Sequence, residues 1–169
     1  MYNHLLIPTD GSPLSDEAIR HGVALAAETG AKVTFLTVIE PFHTFSFGVD
    51  QLQETADTYQ TNMQERATRI LAEAARVATT AGVAHEVIQT EDDQPYQAII
   101  RTVEERGCDL IAMASHGRRG VSALVLGSET VKVLTHSIIP VLVYRSPSSR
   151  PDLARHEVQA ERAAERQMT

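Results

Sequence analysis

A single cysteine in 169 residues leaves no partner for an intrachain disulfide. That fits a reducing compartment, so a cytoplasmic location is the expectation. Cys108 opens an apolar run and reads as a small buried hydrophobe. No window approaches roughly 18 uninterrupted apolar residues, so no membrane span is expected. Met1-Tyr2-Asn3-His4 has no basic stretch ahead of an apolar one, so no secretory signal is expected there. Positive charge is scarce as well. The 15 Lys and Arg residues face 22 Asp and Glu, giving a formal net charge of −7. Nucleic acid and anionic membrane both call for a basic face, and neither is an expected partner.

Several nucleotide and catalytic motifs are missing. There is no G-x-x-x-x-G-K-[ST] and no G-x-G-x-x-G after the first apolar run. Gly120-Val121-Ser122-Ala123-Leu124 lacks the second glycine of a nucleophile elbow. The histidines at 4, 21, 43, 85, 116, 136 and 156 make no metal-ligand spacing with one another or with Cys108. No general base is evidently paired with a nucleophile, so the expectation is a binding protein rather than an enzyme.

What is present is a strong alternation. Apolar runs lie at His4–Pro8, Lys32–Ile39, His85–Ile88, Asp109–Ala114 and Ile138–Tyr144. Most are continuous, as in strands buried on both faces of a parallel sheet. Helical patterns separate them. Ser12 and Pro13 form an N-cap with proline at the first helical position, and Gly30 sits where a helix ends. Asp50 and Gln53 resemble a capping box ahead of a stripe running from Leu52 through Tyr59, Met63, Ala67 and Ile70 to Ala81. Asp93 and Pro95 open a third helix, which Gly107 closes. The pattern predicts βαβ units with right-handed crossovers. Pro41–Val49, with Phe42, His43, Phe45 and Phe47, reads as an apolar loop that is buried. The domain is expected over residues 1–145. Residues 146–169 read as a charged extension, helical or disordered.

Two polar clusters follow strand ends, where open α/β sheets hold their ligands. One is Pro8-Thr9-Asp10-Gly11-Ser12. The other is Ser115-His116-Gly117-Arg118-Arg119-Gly120, after the fourth run. Glycines there let backbone amides approach an anion closely. Gly127-Ser128 then opens a helix, whose first amides are unpaired and whose dipole favours negative charge. Arg118 and Arg119 add positive charge. The chemistry suits a phosphate.

These segments carry a resemblance. Ala114-Ser115-His116-Gly117, nine residues, then Gly127-Ser128 is similar to the G-x-x-G, nine residues, G-[ST] pattern of ATP-binding universal stress proteins. Pro8-Thr9-Asp10-Gly11-Ser12-x-x-Ser15-x-x-Ala18 and Ile139-Pro140-Val141-Leu142-Val143 resemble the opening and closing strands of that family. Ala114 departs from the pattern, which has glycine there. The resemblance implies a doubly wound α/β fold of the adenine nucleotide alpha hydrolase-like type. Its five parallel strands would run in the order 3-2-1-4-5, with helices on both faces. It implies a stress-response module binding ATP, or AMP or ADP, with Mg2+. Pro8, Thr9 and Asp10 would meet the nucleoside, Asp10 by accepting from the ribose hydroxyls or by lying near the magnesium ion. Val38 would offer backbone groups to the adenine, while Met113 and Ala114 line base and ribose. His116, Gly117, Arg119, Gly127, Ser128, Glu129 and Thr130 would surround the phosphates, with amides and the two hydroxyls donating. Homodimers through the last strand, Pro140–Tyr144, are also implied. The alternatives are a nucleotide-free interaction protein, a slow ATPase or autophosphorylating enzyme, and an ATP pyrophosphatase. The last would want a Ser-Gly-Gly turn where Pro8-Thr9-Asp10 stands.

Overall fold

The computed structural model describes residues 1–41, 49–117 and 126–145, with the backbone alone for 49–56. The expected apolar loop around Phe42–Phe47, the Arg118–Arg119–Gly120 segment and the 146–169 extension lie outside the described residues.

Strands and helices alternate along the chain: β1 His4–Pro8, α1 Pro13–Thr29, β2 Lys32–Ile39, α2 Val49–Thr80, β3 His85–Glu91, α3 Pro95–Arg106, β4 Leu110–Ala114, α4 Ser128–His136 and β5 Val141–Tyr144. The strands form one five-stranded sheet in the order β3-β2-β1-β4-β5. All four pairings are parallel. The expected order therefore holds, and β1 and β4 are neighbours.

Local signals set most of the helix ends. Ser12 caps α1 by accepting from the Ser15 amide at 3.2 Å. Gly30 ends α1 in the left-handed conformation, and Gly107 does the same for α3. Helix α2 starts at Val49, so Asp50 lies inside its first turn rather than at the expected cap. Strand β3 runs on to Glu91, three residues past the apolar run. Its residues alternate between exposed and half-buried, as an edge strand covered on one face does.

The core has two layers, one on each face of the sheet. Leu5, Ile7, Val33 and Phe35 pack against Ile19 and Val23 of α1 and Leu71, Ala74 and Ala78 of α2. On the other face, Leu6, Leu36, Ile111 and Met113 pack against Ile99 and Val103 of α3 and Val133 of α4. The central strands are thus covered by helices on both faces. That is why the strand sequences read as continuous apolar runs.

Candidate functional site

Strand β1 ends in a turn held by its own polar groups. The Thr9 amide donates to Leu36 O at 2.8 Å, and Thr37 Oγ1 donates to Thr9 O at 3.1 Å. Gly11 takes a φ of 71°. An added Cβ there would also lie 2.8 Å from Ile70 Cδ1, so α2 presses directly on this turn. Asp10 Oδ1 accepts from the Ser12 amide at 3.0 Å, an Asx-turn. With Ser12 capping Ser15, the amino end of α1 supplies its own acceptors.

The amino end of α4 is built differently. Its N-cap is Gly127, which has no side chain to accept from the first turn. The amides of Ser128, Glu129 and Thr130 therefore have no intrahelical partner, and the first helical bond runs from Val131 N to Gly127 O at 3.0 Å. Two expectations are corrected here. The Gly127 amide donates to Ser115 O at 2.8 Å, closing the base of the loop, so it does not point at a ligand. The Thr130 hydroxyl donates to Ala114 O at 3.1 Å and is equally occupied. Glu129 reaches away from the helix end: its carboxylate accepts from the Tyr96 amide at 2.9 Å and from Lys132 Nζ at 2.8 Å. It thereby ties α4 to α3.

Close approaches explain the glycines. A Cβ at Gly127 would sit 3.1 Å from His116 Cα, against backbone that has little room to move. A Cβ at Gly117 would sit 2.5 Å from Asp10 Oδ2, so the two polar clusters touch across neighbouring strands. Ala114 raises no such conflict. It ends β4 in regular pairing with Tyr144, and it packs with Leu14, Ala18 and Tyr144. An extended strand position suits alanine as well as glycine. His116 is half-buried, and its Nδ1 lies 3.1 Å from Ser115 Oγ.

Between these turns lies a cleft of about 610 Å³ at the carboxyl ends of β1, β2 and β4. That volume is typical of a pocket for a small organic ligand. Pro8, Thr9, Asp10, Val38, Met113, Ala114, His116, Gly117, Gly127, Ser128, Glu129 and Thr130 all line it. Arg119 is the one expected site residue outside the described residues. Sequence reading missed part of the wall: Ile39 and Glu40 at the end of β2, Tyr59, Met63 and Arg66 on α2, and Pro95 and Ile99 on α3. Tyr59 and Met63 belong to the α2 stripe read as core. The available signal was Arg66, a cation placed directly before Ala67 in that stripe.

Comparison with known proteins gives a consistent picture. The model of the universal stress protein family matches residues 1–145. Universal stress protein YxiE of Bacillus subtilis is 32% identical over 149 residues, covering 86% of this chain and all of YxiE. The solved structure of MJ0577, a universal stress protein of Methanocaldococcus jannaschii, superposes with a TM-score of 0.73 at 27% identity. That match covers 86% of this chain and 97% of MJ0577. A universal stress protein solved in complex with cAMP shares the fold, with a TM-score of 0.63 at 24% identity over 85% of this chain and 97% of its own.

Proposed function

The chain belongs to the universal stress protein family, and from that premise we propose that it binds an adenine nucleotide, ATP, in the cleft at the carboxyl ends of its strands. One observation carries the reading: the uncapped amino end of α4 opens onto the cleft beside Gly117, where backbone amides can meet phosphate oxygens. The cAMP complex of a related fold supports an adenine ligand.

In this reading the base lies between Val38 and Met113, and Asp10 receives the ribose hydroxyls. The phosphates meet the amides of Ser128, Glu129 and Thr130, the Ser128 hydroxyl and the Gly117 backbone. The Gly127 amide and the Thr130 hydroxyl hold the loop instead. Among the described residues no three His, Cys, Asp or Glu side chains form a metal cluster. Asp10 has one carboxylate oxygen already engaged with Ser12. Magnesium would then be held chiefly by the phosphates, with Asp10 as a single protein ligand, and would supply charge neutralisation.

We read the site as one for binding rather than turnover. Ser115 and His116 are in contact, but Ser115 is 2% exposed and does not line the cleft, so its hydroxyl is closed to a phosphate. The proposed dimer forms through β5. That strand is an edge; Leu142 within it is 38% exposed, and Ile138 just before it is 83% exposed. An open apolar edge favours pairing with a second copy. Among the described residues no helix is long and apolar enough to cross a membrane. The lone cysteine suits the cytoplasm.

The test is direct. Purified protein is denatured, and the supernatant is assayed for adenine nucleotide. The stripped protein is then heated with and without ATP and magnesium. At a hundredfold excess over Kd, ligand binding stabilises by about 2.7 kcal/mol, a Tm rise of roughly 5–10 °C. Release of nucleotide together with that rise supports the proposal. A nucleotide-free preparation whose Tm ignores ATP overturns it and favours the interaction-protein alternative.

A further inference from the structure

Arg66 is the only lysine or arginine lining the cleft among the described residues. It comes from α2, the helix that carries none of the family's glycine pattern. Its side chain is half-buried and has no hydrogen bond or ion pair among the described residues. Elsewhere Arg20, Arg76, Arg101 and Arg106 each face a carboxylate, and Lys132 is held by Glu129.

Helix geometry sets its place in the cleft wall. Tyr59, Met63, Arg66 and Ile70 follow at helical spacing and share one face of α2. At one end of this row Tyr59 OH donates to Glu40 O at 3.4 Å, at the end of β2. At the other end Ile70 presses on Gly11, next to Asp10. Arg66 therefore stands between two points where α2 touches the sheet ends, and its neighbour Ala67 is buried. Helical side chains lean toward the amino end of their helix. From Arg66 that direction is toward Met63, which also lines the cleft.

Charge gives the reason for a ligand there. The protein carries a net charge of −7, so a polyphosphate entering the cleft calls for counter-charge beyond the expected Arg119. The chain has no P-loop lysine to provide one. A guanidinium offers a rigid fork of donors matched to phosphate oxygens. We propose that Arg66 contacts the phosphates of the nucleotide from the α2 side and makes the cleft prefer a polyphosphate to an unphosphorylated nucleoside. This rests on the adenine-nucleotide reading of the cleft.

The experiment titrates ATP, AMP and adenosine into stripped wild type, Arg66→Gln and Arg66→Lys by calorimetry. Expected is a loss of about ten- to a hundredfold in ATP affinity for Arg66→Gln, with adenosine within about twofold of wild type. Arg66→Lys keeps the charge without the fork and falls between the two. Equal weakening of ATP and adenosine would make Arg66 a structural residue and overturn the inference, as would unchanged ATP affinity. Wild type that binds adenosine and ATP equally tightly also overturns it, while leaving the nucleoside site intact. Wild type that binds none of the three removes the adenine-nucleotide reading itself, and this inference with it. The Tm of each unliganded variant, expected to match wild type, reports folding separately.

Discussion

At the amino end of the sheet, His4 bonds through Nε2 to Thr34 Oγ1 at 2.7 Å, and Thr34 donates in turn to Glu86 Oε1 at 2.8 Å. Because the carboxylate only accepts, this order places the imidazole proton on Nε2. Asp109 takes the amides of Asn3 at 2.8 Å and His4 at 2.9 Å, fastening β1 to β4. Cys108 is buried beside them, and burial pushes its thiol up to about 11, so it stays protonated. At the carboxyl end of the same strands the polar groups surround a cleft, and the first amides of α4 have no acceptor from their own helix. Both ends use carboxylates, hydroxyls and histidine. The difference lies in what accepts the donors. A closed network satisfies itself and gives the sheet its alignment, whereas an open one needs a solute to complete it. The closed end has its own gap: His4 Nδ1 is buried without a hydrogen-bond partner.

Four substitutions or conditions test this contrast. The largest effect is expected from Gly127→Val. A Cβ there already lies 3.1 Å from His116 Cα, so the larger side chain displaces the start of α4 from the cleft wall, and ATP affinity is expected to fall more than about a hundredfold in a calorimetric titration. A wild-type affinity in that variant would show that the open end does not hold the ligand. Next comes Thr34→Val, which strands the His4 donor in the core. Unfolding in urea is expected to show a loss of about 1–3 kcal/mol, with ATP affinity within about twofold of wild type. Ser12→Ala removes the α1 cap and is expected to lower stability by about 1 kcal/mol, again without weakening ATP. If it weakened ATP as strongly as Gly127→Val does, the two helix ends would be equivalent after all.

The smallest effect concerns pH. Burial, and then the positive charge of Lys32, holds the His4 imidazole below its usual pKa, outweighing Glu86, the Arg106 backbone and Asp109. As pH falls the unfolded chain therefore takes up the proton first. The stability from neutral His4 is fully present above the unfolded value of 6.5 and drains away as pH drops from there toward the lowered folded value. Urea curves at about pH 7.5 and about pH 5.5 should show this loss in wild type and a smaller one in His4→Gln. Equal losses in both would assign the acid sensitivity elsewhere.

Much of the fold was legible because its signals are local. Ser12, Pro13 and Gly30 bound α1 through caps that involve neighbours only a few residues away. The strands show because burial on both faces demands unbroken apolar residues. Strand β3 was read short for the same reason: its alternating edge residues supply no such run after Ile88. The glycine spacing from Gly117 to Gly127 pointed to the stretch between the end of β4 and the start of α4. Arg66 carries one mark, a cation beside the apolar stripe, but the α2 sequence does not say which turn of a 32-residue helix crosses the cleft.

The order of elements and the two polar turns follow from the sequence, through the short-range sterics of strand, cap and turn, whereas the pairing of Ala114 with Tyr144 that suits alanine there is tertiary. Which donors remain available was decided only in three dimensions. The Gly127 amide looked open to a ligand until Ser115 O came within 2.8 Å, and the Thr130 hydroxyl until Ala114 O came within 3.1 Å. Likewise, Asp10 and Gly117 face each other only because β1 and β4 pair across more than a hundred residues of chain. A hydrogen-bonding group takes whatever partner the packed chain brings within reach, and that choice depends on contacts no local stretch contains.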